Sequence, residues 1–254
     1  MKVLKMGIIP GAEPVEIAGN EYGILLLHGF TSSPYEMKYL IKLLKGKGFT
    51  IAAPLLKGHG TKPEDLADCK WYDWFEDAKQ ALFKMRKTCD KIVVIGLSTG
   101  ASLALHLAAH YQIEGVVALS PALFLKEKKA KFVFYVPSII KFRKKKNGPD
   151  IRDEAEKQKA VTYHKTPLSA AREVMHLYEH IKMDLPDMYS PLLVIQSRQD
   201  HVVDFKSAEW VYEHSSSSVK QFLKLEKSYH IITLDVERDI AFREILTFLD
   251  HRFK

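Results

Sequence analysis

The feature that most limits how this chain can fold is a series of short, unbroken apolar runs separated by segments of helix length. GILLLH (23–28), KIVVI (91–95), GVVAL (115–119) and PLLVIQ (191–196) show no polar alternation, as expected of strands covered on both faces. Segments of helical periodicity lie between and after them: Pro34–Lys45, Trp71–Lys87, the Ala- and Leu-rich Thr99–Ala109, Phe205–Glu213 and Val236–Phe253. Strands Phe49–Ala53 and Val219–Leu225 complete the alternation, which predicts an α/β fold with a mostly parallel central sheet and helices on both faces. At the start, Val3–Ile9 and Val15–Ala18 flank Pro10-Gly11 and read as an antiparallel hairpin.

The regularity stops between Leu123 and Pro186. That stretch has charged amphipathic pieces broken by Pro137, Pro149 and Pro167, and no run typical of a central strand. It is expected to be a small, mainly helical cap over residues 123–186, inserted into a core domain made of 1–122 and 187–254. The chain of 254 residues has no linker-like tract to divide it further.

The formal charge of +7 is local. Residues 126–146, KEKKAKFVFYVPSIIKFRKKK, hold nine Lys/Arg against Glu127, a net +8, so the remainder sums to −1. Such a distribution argues against a nucleic-acid surface spread over the fold. Two readings of this segment differ in where its apolar middle points. A membrane-touching lid would turn FVFYVPSII outward between its lysines; the favoured reading turns it inward over a pocket and leaves the lysines solvated. The N-terminus lacks a signal-peptide pattern, and Cys69 and Cys89 have no metal-ligand spacing, so a reducing cytoplasm is expected.

Chemistry enters at Gly96-Leu97-Ser98-Thr99-Gly100, a G-x-S-x-G pattern between the apolar run 92–95 and a small-residue helix. A serine on a tight strand-to-helix turn needs neighbours without side chains, and the helix N-terminus faces whatever charge forms there. A serine nucleophile also requires a base and an acid that orients the base, which for a serine on such a strand-to-helix turn follow in the chain order Ser, Asp/Glu, His. Asp200 closes SRQD after the strand PLLVIQ, and His230 closes EKSYH after QFLKL. Asp204 reads instead as a helix N-cap, and Asp235 follows His230 too closely. The amides of Phe30, after the first central strand, and of Thr99 are placed to hold an oxyanion. His28 and His59 read as loop-packing residues. The pairs His106/His110 and His176/His180 have i, i+4 spacing but no evident third ligand, so no metal and no cofactor is expected.

With those residues assembled, the chain resembles the α/β-hydrolases, and within them the small bacterial carboxylesterases and monoacylglycerol lipases. LLLHGFTSSPYEM, APLLKGHGTKPEDL, Trp71 and Trp74, VIGLSTG, SPLLVIQSRQD and SYHIITLD carry the resemblance from about residue 23 to 235. It implies Ser98 as nucleophile, His230 as base, Asp200 as its orienting acid, Phe30 and Thr99 as oxyanion donors, and a small-molecule acyl ester as substrate. Two positions depart from the family's habit: Ala101 stands where Gly is usual, and Tyr229, in place of a glycine before the histidine, either narrows the pocket or packs outward.

Overall fold

The structure is a computed structural model that describes residues 7–127, 130–137 and 139–253. Its strands are β1 (Val15–Ile17), β2 (Tyr22–Leu27), β3 (Thr50–Ala53), β4 (Lys91–Leu97), β5 (Gly115–Leu119), β6 (Phe142–Lys144), β7 (Lys165–Pro167), β8 (Leu192–Ser197) and β9 (Lys220–Leu225). Seven of them form one sheet in the order β1-β3-β2-β4-β5-β8-β9, and β6 pairs with β7 in a separate ribbon. Within the large sheet every pairing is parallel except β1 with β3.

The helices are α1 (Lys38–Gly46), α2 (Pro63–Ala67), α3 (Trp71–Met85), α4 (Thr99–His110), α5 (Glu154–Lys159), α6 (Leu168–Asp184), α7 (Lys206–His214) and α8 (Arg238–Arg252). Alternate residues of each central strand enter opposite layers, as the two-residue period of a strand requires. Ile24, Leu26, Val93, Ile95, Val117 and Leu193 pack with α1 and α8. Leu25, Leu27, Val94, Val116, Ala118 and Leu192 pack with α3, α4, α6 and α7. Helix α4 is buried from Thr99 to Ala108, which explains why its sequence is apolar all round. No described helix is long and apolar enough to cross a membrane.

One sequence expectation fails at the N-terminus. Val15–Ile17 is a strand, but it pairs with β3, Val15 opposite Ala53 and Ile17 opposite Ile51. Of its expected partner, residues 3–6 lie outside the described residues, and Gly7–Ile9 is not extended into a ladder: Ile9 N donates to Gly60 O at 2.7 Å.

Between β5 and β8, which are neighbours in the sheet, the chain makes a long excursion. It contains a 3-10 turn at Ala130–Tyr135, the β6–β7 ribbon, α5 and the 17-residue α6. The ribbon goes beyond the helical content expected from sequence, because KFRKKK and HKTPL carry no apolar alternation to announce a strand pair.

Candidate active site

Ser98 joins β4 to α4 with φ 56° and ψ −119°, a conformation that costs a non-glycine residue on the order of 1–3 kcal/mol. Close packing imposes it. A Cβ on Gly96 would lie 2.1 Å from Gly100 O, and one on Gly100 would lie 2.1 Å from Leu27 O, so both positions exclude any side chain. Ser98 N is anchored to Leu119 O at 2.9 Å, and Ser102 N closes the first helical turn on Ser98 O at 3.1 Å. The serine thus points from the middle of the sheet into a cavity of about 870 Å³ that is also lined by Phe30, Thr99 and His230.

His230 and Asp200 meet behind that wall. His230 Nδ1 lies 2.7 Å from Asp200 Oδ2, and both residues are buried. Asp200 also accepts from Gln196 Nε2 at 2.9 Å and from the amides of Val202 and Val203, each at 2.8 Å. Burial pushes the carboxyl up, but the imidazole's charge and these donors outweigh it and hold Asp200 below the usual range. An ionised carboxylate only accepts, so Nδ1 carries the proton and Nε2 is the basic nitrogen. For His230 burial acts downward, yet the charge and hydrogen bond of Asp200, with Asp150 and Glu36 behind them, leave its pKa raised above 6.5.

Phe30 is carried by a loop after β2 that is tied from below. Gly29 N donates to Glu36 Oε2 at 2.9 Å, and Glu36 is buried, which raises its pKa. His28 takes the packing role expected of it. Its Nε2 accepts from Leu56 N at 3.1 Å, its Nδ1 meets Gly29 O at 2.9 Å, and burial lowers its pKa to about 4, so the ring is a neutral strut. His59, also buried, stacks edge-on against His28 and Trp74.

Several residues at the site take roles that the sequence did not assign them. Asp150, from the insertion, accepts from His230 N at 3.1 Å and from His201 N at 3.0 Å, clamping the loops after β8 and β9 together. Asp235, fully buried, collects the amides of Tyr229, Arg152, Asp153 and Val236 within 3.0 Å and so fixes the His230 loop as a structural anchor. Tyr178 of α6 reaches Thr99 Oγ1 at 3.0 Å beside the cavity. Asp150 and Tyr178 act on partners far away in the chain, and Asp235 gathers two of its four donors from residues 152 and 153, which spacing alone does not reveal.

Tyr229 packs outward, against His201 at 4.4 Å and under the Arg152 guanidinium. The apolar middle of the basic segment divides: Val133 and Val136 line the cavity, while Tyr135 and Ile139 are more than 80% exposed. Lys128 and Lys129 of that segment lie outside the described residues. His176 and His180 meet Phe134 and Trp71 as ring partners. His106 and His110 gain the third group that sequence did not provide, Asp184, with candidate ligand atoms within 4.8 Å of one another. His106 Nδ1 bonds Asp184 Oδ2 at 2.6 Å and His110 Nδ1 meets His106 O at 2.9 Å; of the three, His106 is buried and His110 is exposed.

A parallel sheet with a strained serine at the end of its central strand, and a histidine and an aspartate on the loops after its last two strands, defines an α/β-hydrolase. Residues 20–237 match the Hydrolase_4 family, described as serine aminopeptidase S33, and the chain belongs to that family. It is 32% identical over 248 residues to a thermostable monoacylglycerol lipase of Bacillus sp. (strain H-257), covering 95% of each chain. It is 29% identical to a carboxylesterase of Bacillus subtilis (strain 168), covering 94% of this chain and 96% of that one. A solved structure described under "LipS and LipT, two metagenome-derived lipolytic enzymes" superposes with a TM-score of 0.91 at 32% identity, covering 96% of this chain and 99% of that chain.

Proposed function

We propose that Ser98, His230 and Asp200 form the catalytic triad of a serine esterase acting on short-to-medium-chain acyl esters, monoacylglycerols among them. The protein is a carboxylic ester hydrolase of the carboxylesterase and monoacylglycerol lipase type. The observation that carries the finer reading is the buried His230–Asp200 bond at the wall of a largely apolar cavity that opens on Ser98. Residues 123–186 act as the cap of that cavity, contributing Val133, Val136, Val174 and Met175 to the side where an acyl chain would lie.

In this mechanism Ser98 Oγ attacks the ester carbonyl carbon while His230 Nε2 takes the hydroxyl proton. Asp200 holds Nδ1–H and stabilises the imidazolium. The amides of Phe30 and Thr99 stabilise the oxyanion. The C–O bond to the alcohol then breaks, the alcohol leaves with the proton from Nε2, and an acyl-enzyme remains. Water, deprotonated by the same nitrogen, attacks the acyl carbon and releases the acid and Ser98. No step calls for a cofactor.

Fluorophosphonate labelling read by intact mass tests the assignment. One adduct on the unmodified protein and none on Ser98→Ala is expected; an adduct that persists in Ser98→Ala, or never forms, overturns it. The leaving group is tested separately, since fold and triad do not fix it. Esters of graded chain length are expected to outpace thioesters of the same acyl group, and thioesters faster by orders of magnitude in kcat/KM would make the protein a thioesterase.

A further inference from the structure

The cavity has two unlike sides. Against the apolar side built by Val133, Val136, Val174 and Met175 stands a polar one where Lys145 meets Thr31 and Thr162. Lys145 arrives there because its amide extends the β6–β7 ribbon, donating to His164 O at 2.9 Å. Its ammonium turns inward and donates to Thr31 Oγ1 at 2.5 Å and to Thr162 Oγ1 at 3.2 Å. Thr31 Oγ1 uses its own proton on Phe30 O at 2.6 Å, so it can only accept from the lysine.

Both protein partners of this ammonium are neutral. Among the described residues, no carboxylate oxygen lies within 4.0 Å of Lys145 Nζ. Arg143, two residues away, is by contrast paired with Glu127 at 2.8 Å. Burial lowers the Lys145 pKa to about 8, with the more distant Glu36 charge pulling it back up, so the group is mostly cationic at neutral pH. An inward-facing charge with no carboxylate in contact is costly, and a neutral donor could tie down Thr31 as well. Three N–H groups with two acceptors leave one donor for a ligand in the cavity.

We infer that Lys145 is a specificity residue that selects esters bearing an anionic group, phosphate or carboxylate, on the alcohol side of the scissile bond. The inference rests on the proposal that Ser98 is the nucleophile. An acyl chain takes the apolar side, the carbonyl lies at Ser98, and the alcohol moiety is left to the side where Lys145 and Thr31 stand. An ammonium there forms a charge-assisted hydrogen bond with the anion that no neutral alcohol can match.

The test compares three lauroyl esters, of glycerol, of glycerophosphate and of glyceric acid, on the unmodified protein, Lys145→Met and Lys145→Arg. The unmodified protein is expected to favour an anionic ester, and whichever anion gains more identifies the source of the charge. Lys145→Met should erase that preference by about tenfold or more in kcat/KM, the worth of one charge-assisted hydrogen bond, while the neutral ester changes by less than about threefold. Lys145→Arg should retain most of the preference. No anionic preference in the unmodified protein, or an equal fall on all three esters in Lys145→Met, would overturn the inference and leave the lysine as a staple on Thr31. Thermal melting of both variants, and of Lys145→Gln if Lys145→Met is unfolded, separates misfolding from lost recognition. Failure of Ser98 to label with fluorophosphonate sinks the underlying nucleophile assignment instead, so the two failures are told apart.

Discussion

The turn that carries Ser98 and the insertion that covers it touch the same cavity but are held by opposite means. The turn is fixed by backbone against backbone: Gly96 on Gly100, Gly100 on Leu27, Ser98 N on Leu119 O. The insertion grips the neighbouring loop mainly through side chains and its own amides. Thr162 Oγ1 and Tyr163 N both donate to Thr31 O at 2.9 Å, and Ser33 Oγ reaches Val161 O at 3.4 Å. Close backbone contact leaves no room for a substitution, whereas hydroxyl-to-carbonyl bonds can be exchanged singly at about 1 kcal/mol each. The serine's turn is therefore the rigid half and the insertion the adjustable one.

Two buried aspartates offer the largest effect with which to break this comparison. Asp200→Asn is expected to lower kcat by about ten-thousand-fold, because an amide that donates to Nδ1 forces the proton onto Nε2 and removes the base. Asp235→Asn keeps the imidazole tautomer and is expected to act on stability, by about 1–3 kcal/mol, as the amide loses acceptor capacity for its ring of N–H donors. The pH profile separates them further. With the His230 pKa raised, the base-competent neutral ring is lost as pH falls through a value above 6.5, and the acid limb of kcat/KM lies there. Any residual activity of Asp200→Asn should have its limb moved to lower pH, since a raising charge is gone, while Asp235→Asn leaves the limb in place. Equal kcat losses in the two variants would remove the distinction between reaction machinery and anchor.

Two glycines give the next largest contrast, in urea unfolding. Gly100→Ala places a methyl 2.1 Å from Leu27 O, where only movement of β2 against α4 relieves the clash, and should cost about 3 kcal/mol or more. Gly148, in the insertion, has φ 67° but nothing within 4 Å of a new Cβ, so Gly148→Ala should cost about 1 kcal/mol of backbone strain alone. A larger loss at Gly148 than at Gly100 would mean that the insertion, not the sheet, is the rigid half.

The same division governs how much could be read from the sequence. The sheet was legible because doubly buried strands must be continuously apolar, and GVVAL is buried at all five positions. Ser98, Asp200 and His230 stood out as candidates because each follows a strand, and the structure joins the latter two directly. The β1 pairing was misread because a short extended segment carries no information on which partner it will meet, and β3 offered a free edge. Asp150, Tyr178 and Lys145 were invisible for a related reason. Each is an ordinary polar residue in its local stretch, and gains its role from an atom such as His230 N, Thr99 Oγ1 or Thr31 Oγ1 that the fold brings from elsewhere.

The smallest expected effect is also the one that looks most directly at the covering surface. Arg172 of α6 donates from Nε to Val133 O at 3.0 Å and from Nη2 to Val136 O at 2.8 Å, so one guanidinium fixes two cavity-lining residues of the apolar segment. Arg172→Met keeps much of the stem's packing volume and removes both bonds. Each carbonyl can turn to water, so the stability cost should be only about 1 kcal/mol. The kinetic signature should lie in how substrate length is felt. KM for a lauroyl ester should rise by about threefold to tenfold as Val133 and Val136 lose their fixed positions, with kcat unchanged, the pattern of lost uniform binding. An acetyl ester is too short to lie along that segment and should keep its KM. Equal changes for both esters would place Arg172 in support of Ser98 itself and make the covering surface part of the rigid half.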